Sequence, residues 1–227
     1  VTVASGAIGL LLAVVLCALL HVMVMAFAGR ALGVALDELS FGLGPRLLRM
    51  GKLSIRLLPI GGAVRFQTAG DTMPADDADI QPQHLEAQPL WAQLFIGASG
   101  CLALIALACA LLGGMAGVQA LTGGFANIIS GALSPLHTAQ ALLARVDGAA
   151  QGLPFSTLLG LTAATTAALN LLPLPGANGG YLLGALGKSA GLGKHWPASV
   201  TQILLLAYVA LAASWLVAAV VYLSNGV

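Results

Sequence analysis

Charge is what this sequence has least of. Of 227 residues only 7% are Asp, Glu, Lys or Arg, against roughly 25% in an average soluble domain. A water-soluble protein of this length could not cover its surface with so few charges, so most of it must face lipid or other apolar matter. The formal net charge is +1, which leaves no basic field for nucleic acid to follow. Cysteine is scarce too. Cys17, Cys101 and Cys109 all sit inside apolar runs and read as small packing residues rather than disulfides or metal ligands. Internal repeats and low-complexity tails are also lacking.

What the chain has in place of charge is apolar length. Residues 3–28 carry no charge, and at about 1.5 Å per residue they exceed the roughly 30 Å of a hydrocarbon core. No Lys or Arg precedes this run and no clear cleavage site follows it, so it reads as a first span, 1–32, and not a signal peptide. The chain starts at Val1 without an initiator Met, which fits a few residues preceding it. Further apolar runs predict spans over 90–112, over 153–186 with an interruption at Pro173 and Pro175, and over 199–223. Four spans is the simplest count.

Residues 38–66 are of another kind. Short apolar pieces are separated by Gly44-Pro45, Gly51-Lys52 and Gly61-Gly62, which suits short strands and turns better than a helix. Open sheet edges are not tolerated in lipid unless protein or a polar cavity covers them. A small β-sheet at the membrane surface, or dipping in beside the helices, is therefore expected. Residues 67–88, with Asp71, Asp76, Asp77, Asp79 and Glu86, read as a solvated loop. Residues 113–152 are Gly- and Ala-rich. Within them Ser134-Pro135 is a helix-start signal, and a surface helix is expected over 134–148.

The basic residues set an orientation. With four alternating spans, Arg30, Arg46, Arg49, Lys52, Arg56, Arg65, Lys188 and Lys194 fall on one side and Arg145 alone on the other. The positive-inside rule makes the first side cytoplasmic. The sheet then faces the cytoplasm and both termini face outward, in a multi-pass protein of a bacterial inner membrane.

Four segments, in order, carry a resemblance. The first span holds His21-Val22-Met23-Val24-Met25, followed by Ala31-Leu32-Gly33-Val34. Next come Leu39-Ser40-Phe41-Gly42-Leu43-Gly44-Pro45 and Leu58-Pro59-Ile60-Gly61-Gly62-Ala63-Val64. Before and within the second span lie Gln88-Pro89-Leu90-Trp91-Ala92-Gln93 and Ala98-Ser99-Gly100-Cys101-Leu102-Ala103. The third span contains Asn170-Leu171-Leu172-Pro173-Leu174-Pro175-Gly176-Ala177-Asn178-Gly179-Gly180. The chain resembles the site-2 protease (M50) family of intramembrane zinc metalloproteases along nearly its whole length. The resemblance implies an all-α polytopic membrane protein of about four helices, with the small sheet between the first and second. No stretch is long enough for the PDZ domain that many members insert.

The same resemblance shows what is missing. The family's His-Glu-x-x-His places two imidazoles one helical turn apart to bind zinc, with the Glu as general base. A carboxylate from the third span adds a ligand. Here His21 remains, Val22 stands at the general-base position, Met25 at the second His and Asn178 at the Asp. Val accepts no proton, a thioether is a poor zinc ligand, and an amide oxygen brings no charge to offset the metal. No metal and no cofactor is expected. Hydrolysis by the family route loses its base and two of its three ligands together.

Other groups offer little. Cys17 lies one turn before His21, so a Cys17–His21–Asn178 trio is conceivable, though a Cys packed among apolar helices is several times commoner. Asp37 and Glu38 read as surface carboxylates at the start of the sheet. His84, His137 and His195 are expected at the surface. For His21 two readings stand open: a hydrogen bond to Asn178 across to the third span, or one to a backbone carbonyl.

The chain therefore reads as a catalytically inactive site-2-protease-like protein that binds a membrane-protein partner or serves in a membrane complex, with the bilayer as its other partner and no nucleic acid. The residues expected to touch the partner are Leu53, Ile55, Leu57, Gly61 and Gly62 of the sheet edge, by strand addition, and Asn170, Pro173, Pro175, Asn178 and Gly179 of the broken span. The alternative is a divergent intramembrane zinc metalloprotease with an altered metal site. A transport component is a further rival, since broken helices can line a path.

Overall fold

The structure, a computed structural model, describes residues 2–67, 83–192 and 198–225. Most of the loop expected over 67–88 lies outside these residues, as do Lys194 and His195. The chain runs through helix α1 (Thr2–Ala31), strands β1 (Leu36–Met50) and β2 (Leu53–Phe66), a 3₁₀ turn at Leu85–Ala87, and helices α2 (Leu90–Leu112), α3 (Gly114–Leu133), α4 (Thr138–Gly152), α5 (Phe155–Leu171), α6 (Asn178–Ser189) and α7 (Ala198–Ser224).

Helix is the only single-segment structure that satisfies all its own backbone groups in hydrocarbon. Among the described residues three helices are long and apolar enough to cross a bilayer: Gly6–Ala31, Leu90–Leu112 and Ser199–Ser224. Helix α5 is also apolar but has 17 residues, about 26 Å of rise. It stops where the sequence predicts, before Pro173 and Pro175, which lack backbone donors. Leu172 ahead of the first proline is already extended, at φ −59° and ψ 138°. The region read as one broken span is thus two helices, α5 and α6, joined by a turn in which Gly176 has φ +85°.

One helix was not expected. The Gly- and Ala-rich stretch after α2 forms α3, 20 residues long, although each Gly weakens a helix in water. Its glycines act through tertiary contact. A Cβ on Gly124 would reach the Ala168 methyl at 3.1 Å, one on Gly117 would reach the Cys109 backbone at 2.7 Å, and Gly131 lies under the Trp215 ring. The helix expected over 134–148 begins at Thr138, after a turn in which the Ser134 hydroxyl accepts the Thr138 N–H at 3.3 Å. Helix α4 ends beside the start of α1, where Gly6 meets the Ala150 carbonyl.

Helix α7 has only 6% of its apolar window covered by protein, yet it is tied down by polar bonds. Ser214 donates to the Ala132 carbonyl at 2.5 Å, Trp215 to Ile128 at 3.0 Å, and Gln140 to Ala218 at 3.0 Å. Between apolar helices, where lipid competes for every apolar face, such bonds and close packing supply the association.

The sheet is formed by two long strands, antiparallel overall, that bend at glycines. Gly42, Gly44 and Gly61 have φ of +94°, +87° and +75°. The bends give Leu39, Ser40 and Phe41 partners on both sides. On one side are Val64, Ala63 and Gly62, in antiparallel order. On the other are Leu53, Ser54 and Ile55, whose numbers climb in step, so this stretch runs parallel. The second group pairs onward with Met50, Arg49 and Leu48. The order across the sheet is therefore 62–66, 36–41, 53–56, 46–50. This corrects the expectation that 53–66 is one free edge: Leu53 and Ile55 are paired on both sides, and the outer segments are 62–66 and 46–50.

The segment 62–66 lies along α1. Phe66 packs on Ala28, Val34 and Ile96, while Gly62 meets Val22 some two turns earlier. The sheet thus dips beside the helix, with exposed Leu43, Leu57 and Leu58 toward its apolar end and Asp37, Glu38, Lys52 and Arg65 toward its base.

Helices α1 and α2 touch through glycine. A Cβ on Gly100 would stand 2.7 Å from the His21 carbonyl oxygen and 2.6 Å from Nδ1. Gly100→Ala is expected to cost about 1–3 kcal/mol by overpacking. Gly123→Ala, with nothing within 4 Å of the added carbon, is expected to gain about 0.5–1 kcal/mol of helix stability. Unfolding of the two variants in mixed micelles checks the contrast.

Candidate functional site

The α-helical repeat puts His21 and Met25 one turn apart on α1. Asn178 is the first residue of α6, delivered there by the proline break. Its close seating needs glycine on both sides: a Cβ at Gly179 would collide with the Leu171 and Leu172 carbonyls, and one at Gly180 with that of Leu174. The third wall is α2, which offers Gly97 and Gly100.

The Asn178 side chain fills the meeting point. Its Nδ2 donates to the Gly97 carbonyl at 2.5 Å and to the Met25 sulfur at 3.1 Å. Its Oδ1 lies 3.3 Å from His21 Nε2. Because the Gly97 carbonyl can only accept, the amide is oriented with its oxygen toward His21, and His21 Nε2 must carry the hydrogen. Of the two readings open for His21, the interhelical bond to Asn178 is the one formed. His21 is 5% exposed, and Nδ1 lies against Gly100 without a well-formed hydrogen bond. Val22, 2% exposed, turns its methyls to the sheet at Gly62.

Tested against a zinc ion, this donor set does not fit. The imidazole nitrogen facing the centre bears a proton instead of a free lone pair, a thioether stands where a second imidazole would, and an uncharged amide lies between them. Among the described residues no three His, Cys, Asp or Glu side chains converge elsewhere. Cys17 packs with Leu104, Ala108, Ala163, Ala164 and Ala167, as a small core residue does.

Other expected residues are placed as follows. Asn170 bonds back to the Thr166 carbonyl of its own helix at 2.9 Å, away from Asn178. Pro173 and Pro175 form the break. Leu57 and Gly61 are exposed, and Gly62 is in the strand against α1. His137 is exposed as expected. His84 is not: it is 1% exposed, just ahead of the 3₁₀ turn. Nothing in a lone His between Gln83 and Leu85 signals burial; only the packing of the turn, with Leu85 against the cluster of Phe66 and Ile96, decides it.

What the sequence left unread is the polar face of the sheet. Glu38 accepts from the Ser54 hydroxyl and lies 3.8 Å from both Arg46 and Arg65. Asp37 lies 3.6 Å from Arg65. Arg56 donates to the Ser40 hydroxyl at 2.7 Å and the Gly44 carbonyl at 3.1 Å. This face, with Gly176 of the proline break opposite, lines a cleft of about 250 Å³. Asp37 and Glu38 are thus carboxylates at the sheet's start, as expected, but Glu38 is also the hub of the network.

A membrane-spanning helical core, a bent sheet beside its first helix, and a paired-residue centre between that helix and a proline-broken one define the class: a polytopic protein built like an intramembrane protease. The sequence model of peptidase family M50 matches residues 8–215, and the chain belongs to that family. No curated protein matches the chain.

The Ser54 hydrogen bond, helped by Arg46, Arg65 and Arg56, holds the Glu38 carboxyl below its usual range. A depressed carboxyl contributes stability above its unfolded pKa and loses it as pH falls through the lowered folded value. The wild type is therefore expected to lose more thermal stability on acidification from neutral pH than Glu38→Gln. Melting curves in detergent across that range check it.

Proposed function

We propose that this chain is a non-catalytic M50 protein that binds a membrane partner, or serves as a subunit of a membrane complex, in a bacterial inner membrane. The observation that carries the proposal is the position of the Asn178 amide, hydrogen-bonded between His21 and Met25 where the family places a metal. Val22 and Asn178 leave no carboxylate there to act as the family's general base. What would be a reacting centre is a tie between α1, α2 and α6.

The surfaces proposed to meet the partner are the 62–66 edge of the sheet, with Gly61 and Gly62, and the break at Pro173, Pro175, Asn178 and Gly179; Gly62, Ala63 and Arg65 of the first and Gly176 of the second line one cleft. An extended segment adding to that edge gains main-chain hydrogen bonds. Leu53, Ile55 and Leu57 then act from behind, shaping the sheet. Arg30, Arg49, Lys52 and Arg65 gather toward one end of α1 and Lys188 closes α6, which supports a cytoplasmic position for that end and outward termini.

The second reading is a divergent zinc metalloprotease, favoured by the retained His21. Elemental analysis separates the two. Purified wild type is expected to hold less than a tenth of a zinc per chain and to leave transmembrane peptides uncut. Met25→His combined with Asn178→Asp is expected to gain zinc, since it restores two ligands and removes the plug. One zinc per wild-type chain, lost in His21→Ala, would sink the non-catalytic reading. The companion measurement is purification in mild detergent at native abundance, in which a co-purifying membrane chain is the expected result.

A further inference from the structure

Among the described residues the cleft beside the sheet is lined by two guanidiniums and one carboxylate. Arg56 and Arg65 line it with Glu38, and at its margin Glu38 pairs with Arg46 and Arg65, and Asp37 with Arg65, at 3.6–3.8 Å. Arg46 and Arg56 are direct cross-strand partners, a pairing of like charges that is unfavourable unless an anion stands nearby. Glu38 is already engaged by Ser54, Arg46 and Arg65. Among the described residues Arg56 donates its hydrogen bonds to neutral oxygens, of Ser40 and Gly44. The Arg65 side chain is 61% exposed.

The strand alternation says where a further anion would come from. Along 62–66, Val64 and Phe66 belong to the apolar cluster against α1 and Gly62 faces Val22. Ala63 and Arg65 turn to the other face and line the cleft with Glu38 and Arg56. A strand laid on this edge would alternate in the same way. Its side chains on the α1 face would meet apolar surface, and those on the other would lie beside Ala63 and Arg65 with the Gly176 backbone across the cleft.

We propose that the cleft selects an extended partner segment carrying an acidic side chain, Asp or Glu, on its cleft-facing side, read by Arg65 with Arg56. A peptide fits better than a lipid headgroup, because main-chain groups border the cleft on two sides, from the 62–66 strand and from Gly176. Half-buried between protein walls, a charge-assisted pair is worth more than one in open water. The proposal rests on strand addition at this edge.

The test uses the full chain in phosphatidylcholine nanodiscs and three fluorescent nonapeptides of alternating Thr and Val, with Asp, Asn or Lys at the central Thr position. Fluorescence anisotropy is expected to show the Asp peptide binding about fivefold to tenfold tighter than the Asn peptide, with the Lys peptide weakest. Arg65→Glu, a change at an exposed side chain, is expected to reverse the order of Asp and Lys. An Asp peptide N-methylated at alternate residues, unable to pair as a strand, is expected not to bind.

Equal binding of all three peptides, lost on N-methylation, overturns the acidic selection while leaving strand addition standing. No binding by any peptide overturns both. An Asp preference abolished by adding phosphatidylglycerol to the disc assigns the arginines to lipid phosphate and overturns the peptide reading. An Asp preference unchanged in Arg65→Glu also overturns it.

Discussion

A carboxamide half-buried among apolar helices is held by the partners it finds there, because neither lipid nor hydrocarbon side chains can supply any. Asn178 finds a carbonyl on α2 and a sulfur and an imidazole on α1. Those bonds fix where α6 begins, which fixes the turn after the proline pair and the position of Gly176 on the cleft. They also decide the chemistry of the centre. The Gly97 carbonyl orients the amide, the amide sets the hydrogen on His21, and the imidazole then has no lone pair to offer inward. One hydrogen-bond acceptor on a neighbouring helix thus carries through to what the centre can do.

The sheet obeys the same rule with different means. A β-structure beside membrane helices has outer segments whose donors and acceptors need cover. Here the bends at Gly42, Gly44 and Gly61 let two strands fold into four paired segments, so most of the backbone is satisfied internally. One face of the last segment packs on α1. The other carries charge, which is tolerable beside helices because Glu38 and Ser40 bond the arginines, Ser54 bonds Glu38, and the cleft stays open on that side. An apolar face toward the helix and a charged face toward the cleft make the edge directional, and that direction is the basis for the partner chemistry inferred from it.

Much of this was legible from residue order. Uncharged runs of more than 20 residues can only be helices in lipid, and Pro173 with Pro175 can only break one. The glycine punctuation of 38–66 could only be strands and turns. His21, Met25 and Asn178 were paired from the family resemblance alone, and the three side chains do meet. Three features were not legible. Helix α3 was hidden because glycine reads as a breaker locally and acts as a packing surface only when a Trp or Ala on another helix closes on it. The burial of His84 depends on a turn packing against the cluster of Phe66 and Ile96. The interior position of Leu53 and Ile55 depends on strand bends that leave the apolar alternation unchanged.

The sequence by itself determined the solvent, the long uncharged spans and the Val at the general-base position, because charge content, uninterrupted length and residue type are properties of the chain and need no neighbour. The tertiary structure alone decided that Asn178 bridges His21 and Met25, that among the described residues 62–66 and not 53–56 is an outer segment of the sheet, and that Arg56 and Arg65 share one cleft. Each of these is a relation between segments far apart in sequence, and directional bonds and close contacts between such segments exist only once the helices have packed.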